Sequence, residues 1–395
     1  MTNMILRTVP ALLLVAFSGA ASAAAFQLLE QNASGLGNAY AGSAAVADNA
    51  STVFFNPAGM TQLGNGIQLS VGVAGVGPSY EFRDQAGVKS GGDAGGWAAV
   101  PNAYLSGQLT KDLFLGLGIS APFGLATEYD AVWGTTSSAG AGSATAIKSE
   151  IKTINVNPSL AYRVSDKISL GFGLNYQSIE GELTRNPGVL VTLKADDASW
   201  GWNAGALFTL SPAMRVGLSY RSAVKHKLEG TINGTTSVNA DVKLPDTFIL
   251  SVWQQVSDRW EAMGDLSYTR WSSVRALNVM SSASGTLLSS EAFNYENSWR
   301  FAWGAGYKAT DKAKLKFGIA FDRTPVRDEY RTARVPDNNR LWLSLGGQWN
   351  AGAVGKFDLG YSYLYVIDPT ISQGALQGKY DASAHIIGVQ YSVGF

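Results

Sequence analysis

Hydrophobic residues alternate with small or polar residues along many segments of this chain. Ile168, Leu170 and Phe172, for example, are separated by Ser169 and Gly171. A period of two gives each face of a β-strand its own residue type, whereas a helix needs a period of about 3.6. The same alternation recurs in residues 214–221, 299–307, 315–321, 357–365 and 387–395. The pattern therefore predicts an all-β protein.

Polar breaks divide these segments into hairpins. Short breaks lie at residues 110–112, 165–167, 211–212, 257–258, 310–312 and 350–352. Longer loops are expected at 81–96, 130–147, 185–196, 231–243, 280–291, 325–338 and 368–380. The predicted strands are 67–80, 97–109, 113–129, 148–164, 168–184, 197–210, 213–230, 244–256, 259–279, 292–309, 313–324, 339–349, 354–367 and 381–395. An even number of strands, fourteen here, with short turns at one end and long loops at the other, is typical of an antiparallel outer-membrane β-barrel.

The first residues indicate export. Residues 11–17 form an apolar core after a short segment that contains Arg7, and Ala21-Ser22-Ala23 fits the small-x-small pattern that signal peptidase cleaves. Residues 1–23 are therefore expected to be a signal peptide. The alternative, an uncleaved membrane anchor, is disfavoured because this apolar core is too short to cross ~30 Å of hydrocarbon as a helix.

Composition narrows the chemistry. The 30 Lys and Arg residues balance the 30 Asp and Glu residues, which argues against a nucleic-acid partner because phosphate binding needs a basic surplus. The chain has no Cys, so disulfides and thiolate metal sites are excluded, and we expect no metal and no cofactor. A soluble β-sandwich or propeller would carry many charges opposite its hydrophobic face. Here that side is mostly Gly, Ser, Ala and Asn, so we expect the hydrophobic face to contact lipid.

Aromatic residues lie towards the ends of several predicted strands. In outer-membrane barrels such residues form girdles at the two lipid–water interfaces. The expected girdle residues are Tyr104, Trp200, Trp202, Trp253, Trp260, Tyr268, Trp271 and Trp349. The chain also ends on Phe395, in phase with the hydrophobic face, as bacterial barrels that need insertion machinery do.

Residues 24–65 precede the first strand and show little alternation. They are mostly small and uncharged, with Phe54 and Phe55 embedded among them. Because fourteen strands enclose a lumen wider than the packed interior of an eight-stranded barrel, we expect this segment to fill the lumen as an N-terminal hatch, while residues 66–395 form the barrel. A floppy periplasmic tail is the alternative, although disordered tails are usually more polar.

Several short motifs, in this order, resemble FadL-type outer-membrane transporters of long-chain fatty acids and other hydrophobic compounds. They are residues 25–28 (AFQL), 34–42 (SGLGNAYAG), 47–50 (ADNA), 56–58 (NPA), 123–129 (FGLATEY), 318–322 (GIAFD), 324–326 (TPV) and 336–344 (PDNNRLWLS). The resemblance runs along the whole mature chain. It implies a monomeric fourteen-stranded barrel with a hatch, an extracellular hydrophobic groove, a deeper pocket near the mature N-terminus, and sideways exit of ligand through a kink in the third strand.

The sequence itself also predicts a defect in the third strand. Pro122 lacks a backbone donor and Gly124, after Phe123, lacks a side chain, so the wall is weakest at these three residues. We expect a lateral opening there, and an ordinary bulge that adjusts barrel curvature is the alternative. Asn56-Pro57-Ala58 is the expected hatch turn, in which Pro and the side-chain amide fix the backbone.

These features predict an outer-membrane transporter for passive uptake of long-chain fatty acids or similar compounds. The candidate ligand contacts are Phe26, Leu28, Phe54, Phe55 and Phe123. The fatty-acid members of the family carry a Lys in the loop before the strand that here contains Trp299 and Arg300. This chain has no Lys or Arg between Arg275 and Arg300, so an aromatic or alkane hydrocarbon stays open as the ligand.

A general diffusion porin and an enzyme are the competing classes. Opposed rows of lumen charge would suit a porin, but they could equally satisfy a hatch: Arg215, Arg221, Arg300, Lys314, Lys316, Asp322 and Asp358. His226 and His385 are expected at outward or loop positions, so no catalytic site and no enzyme is expected. The pairs Asp196-Asp197 and Asp328-Glu329 are expected in loops, solvated or near divalent ions that bridge lipopolysaccharide. The expected partners are thus the hydrophobic ligand, lipopolysaccharide and other outer-membrane lipids, and the insertion machinery.

Overall fold

The computed structural model describes residues 25–134 and 141–395, so the expected signal peptide lies outside the described residues. Within these ranges fourteen antiparallel strands form one closed barrel. Each strand pairs with its neighbours along the chain, and the first pairs with the fourteenth from Gln68 opposite Gly394 to Asp84 opposite Gly378. The predicted strand number and antiparallel order are confirmed.

The strand bounds follow the predicted order of short turns and long loops. The barrel strands are Ile67–Asp84, Ala98–Gln108, Leu113–Ser120 with Gly124–Glu128, Lys148–Ser165, Ile168–Arg185, Val191–Ser211, Met214–Arg221 with Val224–Ile232, Thr236–Leu244 with Thr247–Gln255, Trp260–Thr269 with Ala276–Ser281, Leu287–Ala292 with Ser298–Lys308, Ala313–Asp322, Arg340–Asn350, Lys356–Val366 and Leu376–Gly394. Two short strands, Lys89–Asp93 and Thr370–Gln373, lie in loops.

The helices are short. Thr52–Phe55 and Ala141–Thr145 are α-helical, and the 3-10 helices are Leu36–Asn38, Pro57–Gln62, Trp271–Ser273, Asp328–Tyr330 and Gly352–Val354. No helix in the described part of the chain has the length and apolar character needed to cross a bilayer.

Three loops are much shorter than predicted. The loops expected at 185–196, 231–243 and 280–291 are 186–190, 233–235 and 282–286, because the flanking strands continue further. Strand pairing continues there without hydrophobic alternation, as in the hairpin of residues 224–232 and 236–244. The expectation that Asp196-Asp197 lies in a loop is therefore wrong, whereas Asp328-Glu329 does begin a loop 3-10 helix.

The hydrophobic face of each strand points away from the lumen. In the fifth strand Leu170, Phe172 and Leu174 are 49%, 42% and 46% exposed, whereas Ser169 and Asn175 are buried. A soluble protein would cover such a face, so its exposure around the barrel suits contact with lipid.

The N-terminal segment fills the lumen. Its 3-10 helix Leu36–Asn38 contacts the tenth to thirteenth strands, and Pro57–Gln62 contacts the third to sixth. Charged side chains of the wall contact this segment. Lys316 Nζ of the eleventh strand donates to Ser34 O of the segment at 2.7 Å and to Asp358 Oδ1 of the thirteenth strand at 2.8 Å. The segment is therefore a packed hatch and not a tail.

Gly171 of the fifth strand lets the hatch touch the wall. A Cβ atom at this position would lie 2.3 Å from the backbone nitrogen of Ala58, closer than real Cβ contacts allow. Asn56 fixes the same turn, because its Oδ1 accepts from Ala58 N at 3.1 Å and its Nδ2 donates to Ala44 O at 2.7 Å.

The variant Gly171→Val is expected to push the hatch off the wall while the barrel still closes. Ion conductance of the purified protein in a planar bilayer should then rise well above wild type. The control is Gly264→Val, because a Cβ at outward-facing Gly264 meets nothing closer than 3.7 Å. Equal conductance of the two variants would contradict tight hatch–wall packing.

Candidate functional site

The third strand is interrupted where the sequence predicts it. Residues 114–119 pair with residues 103–108 of the second strand, but residues 98–102 have no pairing with the third strand. They pair with the first strand alone. Residues 98–102 therefore form an unpaired edge of the barrel wall beside the kink.

The hatch takes the place of the missing wall contact. Leu28 N donates to Pro122 O at 2.8 Å, and Gly124 N donates to Phe26 O at 2.9 Å. The hydroxyl of Thr153 satisfies both backbone polar groups of Phe123, since it accepts from Phe123 N at 3.0 Å and donates to Phe123 O at 2.6 Å. The kink is thus a hydrogen-bonded turn towards the lumen, not a frayed strand.

A cavity of about 350 Å³ lies above this turn, towards the long-loop end of the barrel. Phe26 lines it, together with aliphatic side chains from the third to ninth strands: Leu125, Ile151, Ile179, Leu228, Leu244 and Val274. Lys243 and Arg275 also line it, and neither takes part in an ion pair among the described residues. We call this space the upper cavity.

Phe26, at the edge of the upper cavity, packs in a cluster of four aromatic rings. The ring centroid of Phe26 lies 4.9 Å from that of Trp271, edge to face, and 6.1 Å from that of Phe123. Tyr295 packs against Trp271 at 5.8 Å. All four are buried. This aromatic cluster closes the path between the upper cavity and the kink.

A smaller pocket of about 60 Å³ lies on the other side of the aromatic cluster. The predicted contacts Leu28, Phe54, Phe55 and Phe123 line it, and so does Pro122. We call it the inner pocket. The five candidate ligand contacts therefore lie in one connected region, with Phe26 on the upper side of it.

Two arginines add positive charge to the inner pocket. Arg221 stacks on Phe54 at 4.1 Å and donates to its carbonyl oxygen at 2.8 Å. Arg300 donates to Ala39 O at 2.6 Å. Both guanidinium groups thus bind hatch backbone while they line the inner pocket, which Asp322 and several hydroxyl side chains also line.

The expected aromatic girdle is partly wrong. Trp200, Trp202, Trp260 and Trp349 are exposed on the outward face, and Tyr268 packs on outward-facing Trp299. Tyr104 and Trp271 are buried on the lumen side, and Trp253 lies against Arg215 there. These three residues occupy positions of the alternation that face the lumen. This phase is the signal in the sequence that could have placed them there.

His226 also lies on the lumen side, contrary to expectation, whereas His385 is exposed as expected. The Nδ1 atom of His226 lies 2.8 Å from Asp197 Oδ2, and Nε2 lies 3.3 Å from Gln177 Oε1. Both ring nitrogens therefore have partners, and neither contacts a hydroxyl that could act as a nucleophile.

Glu30 is a buried acid at the base of the hatch turn that reaches the kink. Both of its carboxylate oxygens lack a hydrogen-bond partner among the described residues. Burial raises the pKa of Glu30 to about 7. The folded hatch therefore favours the neutral acid.

Hatch packing is expected to weaken as the pH rises through about 7. An acid whose folded pKa is raised contributes stability in its protonated form, and that contribution is lost on ionisation. Protection factors of hatch amides, which correct for the intrinsic pH dependence of exchange, should thus be lower at about pH 9 than at about pH 5 in wild type. The variant Glu30→Gln should remove most of this difference, and an unchanged pH profile in that variant would contradict the assignment.

The chain matches known proteins along nearly its whole length. The family model described as "Outer membrane protein transport protein (OMPP1/FadL/TodX)" covers residues 14–395. Outer membrane protein P1 of Haemophilus influenzae is 34% identical over 411 residues, which is 88% of this chain and 87% of the relative. The long-chain fatty acid transport protein of Salmonella typhi is 28% identical over 94% of both chains.

Solved structures share the fold. A Pseudomonas aeruginosa FadL homologue superposes with a TM-score of 0.83 at 24% identity, covering 94% of this chain and 100% of that one. The Ralstonia pickettii toluene transporter TbuX superposes with a TM-score of 0.70 at 18% identity, covering 93% and 100%.

Proposed function

Since the chain belongs to the OMPP1/FadL/TodX family of outer membrane transport proteins, we propose that it takes up long-chain fatty acids by passive diffusion and releases them sideways through the kinked third strand. It is an outer-membrane transporter of hydrophobic compounds and not an enzyme. The observation that carries the finer proposal is the unpaired edge of residues 98–102, which lies beside the hatch-bonded kink.

The proposed path joins three spaces in order. Ligand collects in the upper cavity, passes the aromatic cluster when Phe26 moves, and reaches the inner pocket beside Pro122. From there the gap between the second and third strands leads to lipid. Movement of Phe26 breaks only non-covalent contacts, namely the ring packing of the aromatic cluster and the hydrogen bonds of the hatch turn, so the proposed route uses no energy source.

Lateral release also suits the energetics of the ligand. Burying ~16 methylenes stabilises an acyl chain by ~13 kcal/mol at about 0.8 kcal/mol each. Release into water would cost most of that free energy again, whereas release into the hydrocarbon of the membrane would not. A side exit therefore lets the pocket bind an apolar ligand without trapping it.

Positive charge favours an acid over a neutral hydrocarbon. Lys243 and Arg275 at the upper cavity and Arg221 and Arg300 at the inner pocket could each face a carboxylate. They offset the missing Lys before Trp299. The Salmonella typhi relative carries the name of a fatty-acid transporter. A packed hatch that binds the lumen charges argues against a general porin.

We also propose that the protein acts as a monomer. It would lie among lipopolysaccharide and outer-membrane lipids, and its insertion would need the barrel-insertion machinery.

Repair of the third strand should block uptake. The double variant Pro122→Val with Gly124→Ala restores a donor and a side chain, so residues 121–124 could join the wall ladder. Uptake of radiolabelled oleate by a host without its own transporter should fall to background, while the barrel keeps its heat-modifiable migration on gels. The control is Gly264→Val on the ninth strand, which adds an outward side chain where there is room. Normal oleate uptake by the double variant would overturn lateral release.

Replacing the cationic side chains of the upper cavity should distinguish transport of acids from transport of hydrocarbons. The double variant Lys243→Gln with Arg275→Gln loses two exposed charge contacts, so half-saturation of oleate uptake should need about three- to tenfold more ligand. Toluene uptake should not change. The matched control is Lys194→Gln with Lys227→Gln, because these lysines are exposed but do not line the upper cavity. Faster transport of toluene than of oleate by wild type would instead favour a hydrocarbon channel.

A further inference from the structure

Trp97 lies on the outer surface of the barrel at the upper end of the proposed exit. It immediately precedes the second strand, Ala98–Gln108, and 65% of the residue is exposed. The strand residues that follow it, 98–102, are the ones paired on one side only. Whatever fixes this stretch therefore fixes the width of the gap towards the third strand.

The indole ring of Trp97 rests on the bare backbone of the first strand. A Cβ atom on Gly77 would lie 2.5 Å from the ring, and one on Gly75 would lie 3.6 Å from it. The preceding outward positions of this strand are Val71 and Val73, so the two glycines make the flat place that the ring occupies. The ring thus lies on the side of the second strand away from the gap.

The residues just before Trp97 press onto the same strand. A Cβ on Gly95 would lie 2.0 Å from Pro78 O. Above the gap, Ala94 N donates to Tyr80 O at 3.0 Å, and Glu128 N donates to Ala94 O at 2.9 Å. Residues 94–97 therefore tie the top of the second strand to the first strand, and Ala94 also bonds to Glu128 of the third strand above the gap.

An unpaired strand edge inside a membrane is attracted to any free backbone nearby. Residues 124–128 of the third strand pair with the fourth strand alone and offer the nearest such backbone, so the second strand needs a hold on its other side for the gap to persist. An aromatic ring that covers a cross-strand glycine supplies this kind of hold. Trp also favours the membrane interface, where the upper part of the wall lies.

From these contacts we infer that Trp97 is a positioning residue for lateral release: by clamping the second strand onto Gly75 and Gly77 of the first, it keeps the exit beside the third strand open. This inference rests on the lateral release proposed above. Trp97 does not line the exit itself. It would act on the exit through the position of the second strand.

The test compares Trp97→Ala, Trp97→Phe, Gly77→Val and the double variant Trp97→Ala with Gly77→Val in the oleate uptake assay. Trp97→Ala should lower uptake several-fold, and Trp97→Phe should restore most of it. Gly77→Val should lower uptake equally because it displaces the ring. The double variant should be no worse than either single variant, since both remove one contact.

Two controls separate this clamp from a general membrane anchor. Trp200→Ala removes an outward Trp of similar exposure, 63%, on the sixth strand, and Gly264→Val adds an outward side chain where there is room. Both should transport normally, and every variant should keep heat-modifiable migration. Wild-type uptake by Trp97→Ala, or additive losses in the double variant, would overturn the clamp. If the repaired third strand also transports normally, lateral release itself fails.

Discussion

Backbone satisfaction is the constraint on which the rest of this structure depends. Inside lipid each unpaired N–H or C=O group costs several kcal/mol, so strands can cross only as a closed ladder. The chain meets this requirement by pairing its first strand with its last. At the kink, the ladder between the second and third strands stops. There the hatch residues Phe26 and Leu28 bond to the turned backbone at Gly124 and Pro122. The hatch is therefore part of the wall's hydrogen bonding and not a separate plug.

Hydrophobic alternation allowed much of the fold to be predicted from the sequence. The strand Ile168–Arg185 differs from its predicted end by one residue, because alternation marks most of its length. The strand that begins at Val191 was expected to begin six residues later, since Lys194 and Asp196 are polar although their backbone is paired. Periodicity reports which faces contact lipid. It does not report pairing beyond the hydrophobic belt, where both faces can be polar.

The site was harder to predict because the strands that line it are interrupted, and an interruption changes which residues face the lumen. His226 has the outward parity of the lower half of its strand, Met214–Arg221, but the interruption at residues 222–223 shifts it to the lumen. Trp271 follows the end of Trp260–Thr269 and packs on Phe26 across the lumen, a contact between distant segments that no local pattern contains. Phe26 and Phe123 could be proposed because motifs carried them. Lys243 and Arg275 could not, because only the folded barrel brings them to one cavity.

The same contacts that close the path also tie it to the exit. Phe26 packs on Trp271 and Phe123 in the aromatic cluster, while its carbonyl oxygen accepts from Gly124 at the kink. A ligand that enters between these rings must move Phe26, and that movement strains the bonds that hold the kink. Ligand binding would then shift the equilibrium towards the displaced hatch, to the extent that the ligand binds this state more tightly than the closed one. On the route proposed above, occupancy of the pocket and opening towards lipid would be linked through one residue, without any coupling to an energy source.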